Sequence, residues 1–435
     1  MRVLFTTTNW RGLYYCMIPL GWAMQAAGHD VRFACAPTQT ATIEQAGITP
    51  VQIFEPVGVV ELERLARYAA AAQAPETFTD DVPLLHPITG QPVADVADYD
   101  IAAEEPRFRE ESRHIIGRNY RSAVEFARAW RPDLIIHDLM TPEGVLAAAV
   151  TGVPSVYHSL GMFGAAETSL YDPTDAFAAY GIKLDRSLVR YVIDPTPSMI
   201  MPAHGDALRL PIRYEPYNGP GAMPLWVLDK PDRPRVTLVW SRGTANIFGS
   251  QIPALRHAIE AATSEGAEVV VTAPAAQAET LTDLPDSVRV LREFPLRMLL
   301  PTSSALIHQG SGNPMMSGAA AGVPQLILAM TDDGFEMGRR FSLAGSTLVK
   351  SGLLATPGQI RDNVSQLLHN SELQNAAKAI QADMASNPTA AQLVAPLEHL
   401  ADKGQITAGE LSHLVNGRAV PGGRDVPVSG KPGEL

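Results

Sequence analysis

The chain breaks once near its middle, and its folding pattern then starts again. Residues 214–224 read Tyr-Glu-Pro-Tyr-Asn-Gly-Pro-Gly-Ala-Met-Pro. Proline removes backbone donors and glycine frees φ, so neither a helix nor a strand runs through such a stretch. Before it, a short apolar strand at 2–5 is followed by a helix at 17–27, stopped by Gly28, and a second strand at 31–34. After it come a strand at 235–240, a helix at 252–263 and a strand at 269–272. Strand–helix–strand order predicts parallel strands, because the crossover helix returns the chain to the same edge. Two starts predict an α/β fold of two Rossmann-like, doubly wound domains facing each other across a cleft. The division is 1–215 and 216–400. Residues 401–435, rich in Gly, Pro and mixed charge, read as a loosely held tail.

Charge and cysteine usage narrow the class. A net charge of −12 argues against nucleic acid, whose phosphates call for a basic face. Cys16 and Cys35 make no disulfide framework. The first residues lack the apolar core of a signal peptide, and no apolar run reaches the ~18 residues that span a bilayer. A cytoplasmic protein without a membrane span is expected.

The stretch with the most local chemistry is Ser304-Ala-Leu-Ile-His-Gln-Gly-Ser-Gly-Asn313. It reads as a strand at 305–307, a Gly-containing turn at 308–312 and a helix of small residues at 315–321. Glycines let a ligand approach the backbone, and a helix N-terminus offers unpaired N–H groups and partial positive charge. The order therefore suits an anion, with His308 at the strand end; it also suits a tight turn holding a satisfied histidine. In the first half, His137 and His158 likewise close strands, and open parallel sheets bind ligands beyond their strands' carboxyl ends. The first strand–helix–strand unit carries no Gly-x-Gly-x-x-Gly, so it gives no dinucleotide signal. Residues 70–105 show no clear period, with eight acidic residues from Glu76 to Glu105 and no Lys or Arg. They read as a solvated excursion, a flap over a ligand or a docking surface.

Several motifs carry a resemblance. They are Met1-Arg-Val-Leu-Phe-Thr-Thr, Pro19-Leu-Gly-Trp-Ala-Met-Gln-Ala-Ala-Gly-His29, Arg131-Pro-Asp-Leu134, Ile193-Asp-Pro-Thr-Pro197, Tyr217-Asn-Gly-Pro220, Leu299-Leu-Pro-Thr302, and the 308–313 block running to Gly322-Val-Pro-Gln325. With these, the chain resembles the bacterial antibiotic-decorating glycosyltransferases of GT-B fold. It looks most like those moving deoxysugars from thymidine diphosphate (TDP) donors to macrolide or polyketide aglycones. The resemblance implies an acceptor domain first, a donor domain second, and a nucleotide sugar as co-substrate with no metal or other cofactor. At the donor diphosphate it places His308, Gly310, Gly312 and Asn313, with Ser241 and Arg242 from a loop at 241–244. It places Asp333 at the donor sugar, although the polar residue that usually follows is Gly334. The base-stacking aromatic falls on Glu293; either the match slips by one and Phe294 stacks, or the nucleobase is held differently.

The largest departure is Leu13, where the family has a histidine as general base. Leucine takes no proton, and a side-chain base normally contributes about 10²–10⁴-fold. Leu13, Tyr14 and Tyr15 are then expected to line an acceptor pocket. His137, Asp138, Glu143 or His158 is expected to supply the base. The expected reaction is inverting transfer of a sugar from a nucleoside diphosphate to a natural-product acceptor. The alternative is an altered member acting as a binding or auxiliary protein, or joining its substrates by a non-standard coupling. An auxiliary protein resembling an inactive cytochrome P450 is a further partner the resemblance implies, with residues 70–105 its candidate docking region.

Overall fold

The computed structural model describes residues 1–73, 82–93, 95–161, 170–200 and 206–417. Apolar residues fill the strands: β1 (Arg2–Thr6) buries every residue after Arg2, and β4 (Leu134–His137) buries all four. Strands covered on both faces need such continuous runs. With β2 (Asp30–Cys35), β3 (Thr49–Gln52), β5 (Ser155–His158), β6 (Tyr191–Asp194) and β7 (Leu208–Pro211), they form one parallel sheet in the order β3-β2-β1-β4-β5-β6-β7. The second sheet is also parallel. Its strands β8 (Arg235–Val239), β9 (Glu268–Ala273), β10 (Val288–Arg292), β11 (Ala305–His308), β12 (Gln325–Ala329) and β13 (Thr347–Ser351) run in the order β10-β9-β8-β11-β12-β13.

Strand order reverses direction between β1 and β4 in the first sheet and between β8 and β11 in the second. Loops leave such a point toward opposite faces and open a crevice there, which is where ligands bind in folds of this kind. The loops after β1 and β4 carry Thr7–Trp10 and Asp138; those after β8 and β11 carry Ser241 and Gln309–Ser311.

Three stretches differ from the sequence expectation. Residues 241–244 are not a loop: Ser241 caps the helix Arg242–Phe248, its Oγ accepting from Thr244 N at 3.3 Å. The 70–105 stretch is largely folded, although residues 74–81 and 94 lie outside the described residues. Leu65 and Tyr68 of the helix Val59–Gln73 bury against Tyr99, near the start of the helix Ile101–Trp130. This unit leans on the second lobe, where Arg67 lies over the Phe248 ring at 4.8 Å and Arg64 Nε donates to Asn246 O at 2.6 Å.

The third is the expected tail. The chain crosses back after the helix Ser371–Ser386, and Arg213 N donates to Pro388 O at 2.6 Å where the two crossings meet. The helix Ala390–Lys403 then packs on the first lobe's helix Ile18–Ala26, with His29 Nε2 3.1 Å from Glu398 Oε1. The helix Ala408–Gly417 follows, its Leu411 and Val415 buried in the same core as Val3 and Met17. Packing therefore does not divide at residue 400; residues 418–435 lie outside the described residues. Leu411→Ala is expected to lower unfolding free energy by about 2 kcal/mol, the scale of a buried leucine truncation. Urea denaturation checks this, and a loosely held segment would leave the midpoint unchanged.

Candidate active site

The second lobe's crevice is built around the turn after β11. His308 is fully buried with both ring nitrogens engaged. Its Nδ1 accepts from Gly310 N at 3.1 Å, so Nε2 carries the proton and meets Gln325 Oε1 at 3.0 Å. Gln325 Nε2 in turn donates to Met315 O at 3.1 Å. Burial pushes the imidazole pKa down to about 4, so it is neutral. The histidine expected at the diphosphate instead fixes the turn beside it, with no ring nitrogen left for a ligand.

The helix Gly312–Ala321 begins three residues earlier than its sequence pattern suggested. Ser311 is its N-cap but makes no side-chain bond to the helix; its Oγ accepts from Gln309 Nε2 at 2.7 Å. Gln309, a departure from the family's second glycine, engages the Ser311 hydroxyl, and the third helical residue, Pro314, has no N–H; the Gly312 and Asn313 N–H groups are left without a side-chain cap. Gly310 has φ +96°. A Cβ there would sit 3.2 Å from Gly334 Cα, and a Cβ on Gly334 would sit 3.1 Å from Gly310 O. The polar residue usual after Asp333 would be tight against that backbone. Asp333 stands exposed in the first turn of the helix Asp332–Leu343.

Arg242 and Glu293 are each other's partner: Arg242 Nε donates to Glu293 Oε1 at 2.9 Å. The arginine expected on a phosphate and the residue at the stacking position therefore close one ion pair. Glu293 has φ +46°, an uncommon conformation for a side-chain-bearing residue. Phe294 turns inward, packing with Val227, Val270 and Leu299 while its backbone N–H donates to Thr272 Oγ1 at 2.7 Å. The ring is half-buried, packed against that cluster.

In the first lobe all four base candidates are buried. Asp138 is a turn residue, its Oδ2 accepting from Thr8 N at 2.7 Å and its Oδ1 from Met140 N at 2.9 Å. Burial outweighs those bonds and raises its pKa to about 6. Glu143 Oε2 has no partner among the described residues, and burial, with the Asp138 and Asp172 charges, raises its pKa to about 8. It is protonated at neutral pH. The two histidines share a design. His137 Nδ1 donates to Asp138 O at 3.1 Å and His158 Nδ1 to Ser159 O at 3.0 Å. Each Nε2 is a bare lone pair without a partner among the described residues, and burial lowers each pKa to about 4.

Their surroundings separate them. His137 stacks on Tyr157, centroids 5.7 Å apart. His158 faces the segment that carries Leu13: Cys16 Sγ is 3.8 Å from its Nδ1 and bonds Leu13 O at 3.1 Å. Two residues beyond His158, Leu160 reaches the second lobe, where a Cβ on Gly312 would come within 2.0 Å of Leu160 Cδ1. The edge holding His158 thus lies against the first turn of the helix Gly312–Ala321.

Leu13 and Tyr14 are packed inside: Tyr14 is fully buried and Leu13 8% exposed, both in a hydrophobic core that reaches from the first lobe into the second. Tyr15 is half-buried against linker residue Tyr217, ring centroids 5.0 Å apart. Sequence reasoning gave no role to Trp10, Leu160, Asn218 or Gln325. Trp10 crosses to the second lobe, where a Cβ on Gly243 would sit 2.6 Å from its ring. Asn218 Nδ2 donates to Asn313 Oδ1 at 2.6 Å, while its Oδ1 accepts from Arg297 N at 2.9 Å. Asn313 is therefore held by the linker. Only Asn218 and Gln325 had a signal, since both stand in the quoted motifs.

Known proteins match this arrangement along most of its length. The model for the N-terminal domain of erythromycin biosynthesis protein CIII-like proteins matches residues 22–241, and that for their C-terminal domain matches residues 256–400. The chain belongs to this family. It is 29% identical to the 10-deoxymethynolide desosaminyltransferase of Streptomyces venezuelae over 92% of its own length and 97% of the relative's. It is 30% identical to the TDP-daunosamine transferase DnrS of Streptomyces peucetius, over 94% and 99%. The crystal structure of glycosyltransferase VinC in complex with dTDP superposes with a TM-score of 0.68 at 27% identity, covering 93% of this chain and all of that one. The family member described here is a nucleotide-sugar-dependent GT-B glycosyltransferase of antibiotic biosynthesis, transferring a sugar to a natural-product acceptor. Among the described residues, no helix is long and apolar enough to cross a membrane. Nor does any group of three or more His, Cys, Asp or Glu among them suit a metal ion.

The buried carboxyl gives a pH prediction. A carboxyl whose folded pKa is raised binds more protons folded than unfolded, so its contribution falls as pH rises through the interval between the two values. For Glu143 that interval runs from 4.5 to about 8. His137, His158 and Asp138 act below about 6.5. Between pH 6.5 and 8, Glu143→Gln should therefore lose less stability than the wild-type protein. Urea midpoints at the two pH values check this; parallel losses would place Glu143 in contact with water.

Proposed function

We propose that the enzyme moves a deoxysugar from a TDP donor to a macrolide- or polyketide-like hydroxyl with inversion, and that His158 is the general base. The observation carrying this reading is the contact between the two crevices: the β5 edge with His158 lies on the uncapped first turn of the helix Gly312–Ala321. An anionic leaving group at that turn meets N–H groups and partial positive charge, and preorganised donors of this kind stabilise charge as it develops. His308 supports the turn, Asn313 holds it to the linker, and Asp333 orients the sugar hydroxyls. Ser241 and Arg242 line the neighbouring crevice, where Arg242 exchanges Glu293 for a phosphate oxygen when donor binds. The reading assigns no resident cofactor or metal, because the charge separation is met by this turn. Leu160 swings off Gly312 as donor enters, which calls for relative motion of the lobes.

The base assignment rests on tautomer and position. His158 Nδ1–H is fixed on Ser159 O, so Nε2 is the atom that takes the acceptor's proton. The charge of buried Asp194 acts on His158 in the direction that favours the imidazolium. Inverting transfer then proceeds with the acceptor oxygen attacking the anomeric carbon, its proton passing to Nε2 and TDP leaving. A cytochrome P450-like auxiliary partner belongs to the same reading, with the acidic stretch 70–105 as its docking region.

Single-turnover kinetics with TDP-sugar and aglycone test the chemistry. His158→Ala is expected to lower turnover by roughly 10²-fold or more, and His137→Ala much less. Leu13→Ala should change acceptor affinity more than turnover. Wild-type turnover in His158→Ala would reject the base and favour an amine acceptor, a non-standard coupling or a binding role. Titration calorimetry tests the turn separately. His308→Ala should weaken TDP by about 1–3 kcal/mol through loss of the Gly310 and Gln325 bonds. Unchanged affinity would make the turn purely structural.

A further inference from the structure

A cavity of about 480 Å³ lies against the linker, lined by Arg213, Glu215, Arg297, Ser317, Lys378 and Gln381 among others. Its volume falls in the range of small-molecule sites. Three cations face one carboxylate in a chain whose net charge is −12. Arg213 Nε is buried with no acceptor among the described residues. That N–H is closed off from the cavity, but the Arg213 side chain is in the lining, and a planar guanidinium suits phosphate or carboxylate. Lys378 Nζ has only a 3.5 Å contact with Gln381 Oε1.

The cavity is not the donor crevice. It meets the helix Gly312–Ala321 at Ser317, Ala320 and Ala321, the last two about 12 Å along the axis from the first turn at 1.5 Å per residue. It does adjoin the hinge. Arg213 binds Pro388 O where the crossings meet, and Ala385, also in the lining, precedes the return crossing. Arg297 N is held by linker Asn218.

We propose that this cavity is a second, anion-binding site for a small phosphate- or carboxylate-bearing molecule, which joins the linker to the helix Ser371–Ser386 and stiffens the hinge. Half-buried Arg213, with Arg297 and Lys378, supplies the positive charge that holds the anion. Arg297 and Lys378 are exposed, so Arg297→Ser/Lys378→Ser removes two cations without opening the core.

The test is calorimetric titration of the full chain with inorganic pyrophosphate, and separately with citrate, with and without saturating TDP. One of the two anions is expected to bind the wild-type protein while TDP is present, and the one that binds identifies the class. Its affinity should fall about tenfold or more in the double variant, while that of TDP stays within about twofold. Failure of both anions to bind, binding abolished by TDP, or equal affinity in the double variant would overturn the site. TDP affinity itself reports on the proposed donor crevice, so loss of that reading is seen separately.

Discussion

The hydrogen bond from Asn218 to Asn313 is the contact on which the two crevices depend. A linker of prolines and glycines has few backbone donors to fix it. Asn218 compensates with both ends of its amide, one on Asn313 and Ser317, the other on Arg297 N. Asn313 Nδ2 returns a bond to Tyr217 O at 3.3 Å. The helix Gly312–Ala321 is thereby held to the linker between the lobes, so the turn after β11 and the linker form one unit.

Around that unit, glycines set how closely the lobes approach. Gly243 accepts the Trp10 ring and Gly312 accepts Leu160, while within the second lobe Gly310 and Gly334 lie backbone to backbone. In each case a side chain would occupy the partner's space, which a close-packed interface cannot absorb without shifting. The same contacts bear on two departures from the family pattern. A side chain at position 334 would crowd the Gly310 backbone, and Gln309 bonds the Ser311 hydroxyl, which makes no cap bond to the helix.

The first lobe holds its polar groups differently. His137, Asp138, Glu143 and His158 all sit at strand ends or at the start of a helix, yet all are buried. The electrostatics are therefore governed by desolvation, which keeps both histidines and Glu143 neutral at pH 7. Neutral histidines with one nitrogen fixed and the other bare are acceptors held ready, whereas Asp138 is occupied with the backbone of Thr8 and Met140.

The sequence by itself determined the two-lobed parallel architecture, because apolar runs, crossover helices and a Pro-Gly break are local signals. It also determined the turn after His308 and that position 13 is a leucine, which takes no proton. It did not determine what those residues touch. His308 reads as a ligand until Gly310 and Gln325 are seen on its two nitrogens. Arg242 and Glu293, 51 residues apart, read as separate contacts until they meet. Phe294 reads as a base-stacking ring and Leu13 and Tyr14 as pocket walls, yet a one-residue difference in where a chain turns decides whether a side chain packs inward or faces a cleft. Residues 402–417 read as a tail because their few apolar positions, Ile406, Leu411 and Val415, gain a partner only when the chain crosses back to the first lobe. Contacts between distant segments leave no periodicity in sequence, and only tertiary structure decided them.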